Sequence, residues 1–224
     1  MKRRNQCWRR NAALVVVAVA LWTSACSHGP GDGSAAPQTA ASGKAVPTET
    51  TAGVSHPGHA PKDPLAAFEL VRTVLQDPRC QNCHPPGDSP LQGDDGHPHS
   101  QNVVRGLHGD GPLGEGCSTC HGSSNPPASY GLHIPPGAPG WRLPPPDVKM
   151  VFVGQSSGPL CQQLKDPKRN GGKDLGALLH HVSEDKLVLW GWSPGLGRRP
   201  VGVSHADFVA AFGTWVAADA PCPP

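Results

Sequence analysis

Two five-residue segments restrict this chain more than any other feature. They are Cys80-Gln81-Asn82-Cys83-His84 and Cys117-Ser118-Thr119-Cys120-His121, each a C-x-x-C-H. Two thiols three positions apart fall on one side of a tight turn, so both reach the vinyl groups of one porphyrin. The histidine that follows is then set beneath the iron. The pattern is that of c-type haem attachment, with Cys80, Cys83, Cys117 and Cys120 as thioether donors and His84 and His121 as proximal ligands. The same four cysteines admit two other readings, a four-cysteine zinc site and a pair of structural disulfides. A histidine follows both pairs, and the gap between the pairs exceeds that of the common zinc ribbon. Two covalently bound haem c groups are therefore the expectation.

An electron-transfer haem needs a sixth ligand, normally His or Met. Apart from Met1 the only methionine is Met150, so at most one haem is His/Met. The candidate histidines are His97, His99, His108, His133, His180, His181 and His205. His97-Pro98-His99 lies in a Gly/Pro-rich loop soon after the first motif, where it can fold back over the first haem. His181 flanks the apolar stripe of a short helix. His99 comes first among the distal candidates, then His181, with Met150 the alternative for one haem. A bis-His site would have the lower potential, because a thioether favours ferrous iron.

The N-terminus carries Lys2, Arg3, Arg4, Arg9 and Arg10 ahead of an apolar run from Ala12 to Trp22. That run is shorter than the roughly 20 residues a span needs, so residues 1–25 read as an export signal. Thr23-Ser24-Ala25-Cys26 resembles a bacterial lipoprotein box, with Cys26 as the lipidated residue and Thr23 where leucine is usual. The alternative is an ordinary signal cut near Ala25. Loss of five basic and no acidic residues takes the formal charge from +2 to −3, and nothing favours nucleic acid. Residues 26–62, rich in Gly, Pro, Ala, Ser and Thr, read as a flexible tether of about 30–35 Å reach. His28, His56 and His59 fall within it as solvated linker residues. The expected location is the bacterial periplasm, on a lipid anchor.

Residues 63–224 form the expected dihaem cytochrome c domain: mainly α, with extensive irregular loops and few or no strands. The chain has 28 Gly and 27 Pro and is only 5% aromatic, too little to build an ordinary core, so cofactors or staples must help. Asp63-Pro64 starts a helix whose apolar face is Leu65, Phe68, Val71, Val74 and Leu75, ending at Asp77-Pro78. Leu175, Leu178, Leu179 and Val182 mark a second helix. Ser204-His205-Ala206-Asp207 has the form of a capping box opening a third, with Phe208, Phe212, Trp215 and Val216 on one face. Residues 85–150 show no sustained period and read as loops around cofactor. Cys161 and Cys222 remain once the other mature cysteines are assigned. In an oxidising compartment they are expected to pair; the alternative is two separate thiols. Trp190-Gly191-Trp192-Ser193-Pro194-Gly195 reads as tryptophan packed against porphyrin, or else as an aromatic docking surface.

Several segments form an ordered set: Gly93-Asp94-Asp95, Pro98-His99, Asn102-Val103-Val104-Arg105-Gly106, the second C-x-x-C-H, Pro136-Gly137-Ala138-Pro139-Gly140-Trp141, Leu164-Lys165-Asp166-Pro167 and Leu187 to Gly195. Across residues 63–224 this set resembles the bacterial proteins labelled isoquinoline 1-oxidoreductase subunit. The resemblance implies a dihaem cytochrome that accepts electrons from a periplasmic molybdenum hydroxylase. The chain itself has no iron–sulfur cysteine pattern beyond the haem motifs and no recognisable pterin-binding segment. The expectation is therefore an electron-transfer subunit rather than an enzyme, with a dehydrogenase or hydroxylase as donor and a cytochrome or oxidase as acceptor. The alternative is a small dihaem enzyme, peroxidase-like or a nitrogen-oxide reductase, with one haem open to a ligand.

Overall fold

The computed structural model describes residues 60–224. The expected export signal, Cys26, the linker histidines and most of the tether lie outside the described residues. Six helices and one two-stranded hairpin make up the regular structure: α1 Pro64–Leu75, α2 Pro78–Gln81, β1 Leu91–Gln92, β2 His97–Pro98, α3 Ser157–Lys165, α4 Leu175–Glu184, α5 Lys186–Leu189 and α6 His205–Ala217. The chain is thus mainly helical, with a long irregular middle.

Local chemistry explains where the main helices begin. Asp63 caps α1 by accepting from the Ala66 amide at 2.7 Å, and Pro64 sits in the first turn, where its missing N–H leaves no bond unmade. Ser204 caps α6 through the Asp207 amide. Asp174 caps α4 through the Ala177 amide. The apolar faces point as the spacing predicts, with one exception. Phe68, Val71, Val74 and Leu75 are buried, but Leu65 is 40% exposed and Ala67 takes the buried place in that first turn.

α6 lies against α1 and α4, and α1 also meets α3. Phe68 of α1 contacts Trp215 of α6 with ring centroids 5.0 Å apart, and Phe212 meets Trp215 edge-on at 5.2 Å. Both geometries suit the ring quadrupole. The spacing analysis missed α3, because Gly158 and Pro159 disguise its first turn. Pro is tolerated there, and Leu160 and Leu164, one turn apart, are both buried. Asn170, only 3% exposed, joins α3 to α4: its amide donates to the Leu164 and Lys173 carbonyls and accepts from the Lys173 N–H.

A disulfide joins Cys161 of α3 to Cys222. Around it, Trp215 donates to the Pro221 carbonyl at 3.0 Å and Lys165 to the Ala220 carbonyl at 2.7 Å. The C-terminal tail is thereby fixed over the helical core. Among the described residues no helix is long and apolar enough to cross a membrane.

The middle of the chain holds together differently. Arg105, 1% exposed, donates to the Gly87 carbonyl at 3.0 Å and to the Pro144 carbonyl, and lies 3.6 Å from the Asp88 carboxylate. One guanidinium thus joins three loop segments.

Replacing both Cys161 and Cys222 by serine should cost roughly 4 kcal/mol on the chain-entropy account for a loop of this length. Urea denaturation of the mature chain would measure it. A loss under about 1 kcal/mol would mean the cross-link constrains little.

Candidate functional site

Both motifs coil as the spacing requires. In the first, α2 begins at Pro78 with Asp77 accepting from the Arg79 amide. The Cys83 amide then bonds the Cys80 carbonyl and the His84 amide bonds the Gln81 carbonyl. In the second, a 3-10 turn over Cys117–Thr119 is followed by amide bonds from Cys120 and His121 back to the Cys117 carbonyl. Each pair of thiols is brought to one tight turn that ends in histidine. All four cysteines are free thiols.

The two histidines are held on one plan. His84 donates from Nδ1 to the Met150 carbonyl at 2.8 Å, and His121 donates from Nδ1 to the Pro136 carbonyl at 2.8 Å. Fixing the proton on Nδ1 leaves Nε2 as the lone-pair nitrogen, the arrangement found at metal-ligating histidines. Each ring also lies flat on an aromatic neighbour. His84 stacks on Phe152 at 3.9 Å and 17°, and His121 stacks on Trp141 at 4.3 Å and 6°.

A side-chain amide braces each supporting loop. Gln163 donates to the Val151 carbonyl at 2.7 Å and accepts from the Val151 N–H at 3.1 Å. Val151 lies between Met150 and Phe152, so this brace fixes both partners of His84. The Phe152 amide adds a bond to the His84 carbonyl. At the second site Asn125 accepts from the Gly137 amide at 3.1 Å and from the Trp190 indole at 3.0 Å, and donates to the Ser193 carbonyl. Gly137 follows Pro136. A side chain on it would strike the carbonyls of Ser124 and Gly122, so only glycine lets the loop come this close.

Phe152, Gln163, Asn125 and Trp141 have no motif of their own. Trp141 and Gly137 did fall within the ordered set of the resemblance, but nothing in the sequence assigned them a contact with His121. Trp190 meets Trp141 edge-on at 4.9 Å and so backs the second site. Trp192 instead joins the helical core, donating to the Val203 carbonyl and lying on Phe208.

Burial sets the titration of the site. It pushes His84 down to about 4, with His181 and Arg105 charges adding to the effect against the Met150 carbonyl bond. Burial also lowers His121, and the nearby His99 charge lowers it further. Both rings are therefore neutral at pH 7, as a metal ligand must be. Burial raises the Cys80 thiol well above its ordinary value. Burial also lifts Cys83 to about 11, with the neighbouring Cys117 thiol contributing. The Cys117 charge thus reaches Cys83.

The distal candidates part company. The ring of His99 lies 6.3 Å from that of His121, inclined at 63°. That sets it beside the second motif, whereas the loop spacing suggests the first. The Met150 carbonyl holds the Nδ1 of His84, and the Met150 side chain packs on the helical core. His181 lies close enough for its charge to lower His84, and its own Nδ1 contacts Asp185 at 3.2 Å. His97 is occupied at both ring nitrogens, by Asp95 and Gln92. His205 bonds the Val182 carbonyl. His108, His133 and His180 are exposed.

Two observations test whether haem fits these residues. The Nδ1 of His99 is buried without a hydrogen-bond partner. Large apolar side chains also stand exposed on either side of the second motif, among them Leu107, Leu113, Tyr130 and Leu132. They flank the motif in sequence, and exposed apolar side chains together with an unpartnered imidazole nitrogen fit a haem's apolar face and its iron. Among the described residues no three His, Cys, Asp or Glu side chains converge as a cage for a metal ion. Comparison with known proteins finds no matching family model, curated protein or solved structure.

Gln163→Leu should destabilise the chain by about 1–3 kcal/mol, the cost of stranding a buried polar group, and loosen the support of His84. Gln162→Leu, on the exposed neighbour, should stay within about 0.5 kcal/mol. Chemical denaturation of the two variants gives the comparison; equal losses would remove Gln163 from the role of brace.

Proposed function

We propose that this chain is a c-type cytochrome that carries two covalently attached haems and moves electrons. The observation that carries the reading is the paired plan of the two motifs. Two C-x-x-C-H turns each end in a neutral histidine whose Nδ1 is held by a backbone carbonyl. Cys80 and Cys83 would hold the first haem, and Cys117 and Cys120 the second, each S–H adding across a vinyl C=C with no atom lost. His84 and His121 would give Nε2 to the two irons. Bound haem supplies a reversible one-electron ferric–ferrous couple.

The chain's own residues do the rest. The Met150 and Pro136 carbonyls keep the proximal rings in one tautomer, and Phe152 and Trp141 stop them turning. Apolar surroundings keep both rings neutral and limit water at the site. The Cys117 charge reaches Cys83, so two haems in this one small domain would lie near each other. A histidine that ends each turn, with Nδ1 held by a carbonyl, suits one haem per turn better than a shared zinc cage or two disulfides.

The sequence resemblance extends the reading to a partner. We infer an exported, lipid-anchored subunit on the periplasmic side of a membrane. It would take electrons from a molybdenum hydroxylase of the isoquinoline 1-oxidoreductase type and pass them to a cytochrome or oxidase.

Expression with the c-haem maturation machinery, followed by intact mass and optical spectra, tests this. Two covalent haems per chain are expected, one in the Cys117→Ser/Cys120→Ser variant, and no binding of carbon monoxide to the reduced wild type. Carbon monoxide binding would move the function to the catalytic alternative. A chain that carries no covalent haem and takes up zinc through its cysteines would sink the reading.

A further inference from the structure

We propose that His99 is the second axial donor to the iron held by His121, so that the hairpin leaving the first motif completes the second haem site. The inference rests on the dihaem reading and adds to it a residue, a partner and a crossing of the chain from one site to the other.

The spacing of the rings is the first ground. A first-row metal–imidazole bond is about 2 Å long, so two rings facing each other across one metal, with the depth of each ring added, have centroids about 6 Å apart. His99 and His121 are 6.3 Å apart. An edge-to-face pair in direct contact falls in the same range, so distance alone does not decide. The nitrogens do. His121 has engaged its Nδ1 with the Pro136 carbonyl, which leaves Nε2 to bind. His99 has a buried ring nitrogen with no partner at all. A buried polar atom without a partner is costly, and a metal between the two rings would engage a nitrogen on each side.

The hairpin supplies the means of delivery. β1 and β2 pair Leu91 with Pro98 and Gln92 with His97. The base of the hairpin is fastened to the first motif, where the Leu91 amide bonds the Asn82 carbonyl at 2.9 Å and the Asn82 side chain donates to the Gly93 carbonyl. Gly93 and Gly96 turn the chain at φ +79° and +66°, values that favour glycine. His99 follows β2 directly, its amide bonded to the Pro90 carbonyl at 3.0 Å. The imidazole is thus set by a short rigid element rooted between Cys80 and Cys83.

Its neighbours are otherwise engaged. His97, two residues away, has both ring nitrogens occupied by Asp95 and Gln92 at the surface. In the assembled protein a ligand to the second iron would be borne by the loop of the first haem. The two sites would then be joined mechanically as well as electronically.

The test uses the mature holoprotein and two variants, with the haem count by intact mass kept separate from the ligand state. In His99→Ala the count should stay at two per chain. One low-spin ferric signal should be lost relative to wild type, and carbon monoxide bound per chain should rise by one. His97→Ala should leave both readouts unchanged. Should His99→Ala fail to accumulate, His99→Met supplies a second route. It should keep two haems, raise the potential of one alone, and give that haem the optical signature of methionine ligation. Unchanged spin state and carbon monoxide stoichiometry in His99→Ala, or unchanged potentials in His99→Met, would overturn the assignment while leaving a dihaem cytochrome intact. Fewer than two haems in the wild type would overturn both.

Discussion

A neutral imidazole carries its proton on one nitrogen and a free lone pair on the other, and the group that holds that proton governs the arrangement of the site. A free ring in water exchanges its proton between the two nitrogens and rotates about its side-chain bonds. Here the Met150 and Pro136 carbonyls hold the Nδ1 protons of His84 and His121, while Phe152 and Trp141 fix the ring planes. Backbone carbonyls are more reliable acceptors than side chains for this purpose, since they lose little entropy when they bond. Their position is then only as good as the loop that bears them. Gln163 and Asn125 answer that need, each bonding the residue next to the carbonyl. Each bracing residue therefore lies three links from the metal position: amide, loop, imidazole.

The irregular middle of the chain is held by different forces from the helical part. Between residue 85 and residue 150 few apolar side chains are buried, Pro85, Ala138 and Leu143 among them. Burial of apolar area cannot hold such a segment. Arg105 does much of the holding through the Gly87 and Pro144 carbonyls and Asp88. A buried charge is costly unless its donors are met, and most of the guanidinium is. The apolar side chains that the segment does have, such as Leu107 and Leu113, face outward around the second motif. Under the proposed function a porphyrin would supply the missing half of the core there.

The sequence made the helices and the thiol turns legible for a plain reason: each is a local pattern. Asp63-Pro64 and Ser204 to Asp207 are caps whose bonds span three residues, and the 3.6-residue period placed Phe68, Phe212 and Trp215 inside. α3 escaped because Gly158 and Pro159 break the pattern in a turn that tolerates them. The supports of the histidines were illegible on other grounds. His84 meets Met150 across 66 residues, while His121 meets Pro136 across 15, so two copies of one plan share no common spacing. Met150 attracted attention as a sulfur ligand, yet it is the main-chain oxygen that reaches the site. An interaction through backbone leaves no trace in side-chain identity. His99 was legible as a candidate but not in its partner, because the turn of the hairpin decides which way it points.

The unequal spans also explain how the irregular and helical parts become one body. Closing a loop costs entropy that grows only slowly with length, about 0.6 kcal/mol for each doubling. The step from 15 to 66 residues is a little over two doublings, so the long closure at His84 costs only about 1 kcal/mol more than the short one at His121. For that small cost the segment Met150 to Phe152 acquires bonds on three sides. Met150 accepts from His84, Val151 is braced by Gln163 of α3, and the Phe152 carbonyl accepts from Gln76 at the end of α1 at 2.7 Å. The first histidine is thereby coupled to two helices of the packed core. The second depends on loops and on Trp190, which the Asn125 amide holds in place. A site anchored on helices is the stiffer of the two, and a site anchored on loops is the more open to approach. That difference orders the proposed electron path: the second motif, with its exposed apolar surroundings, is the side at which a partner would arrive, and the first is the protected store behind it.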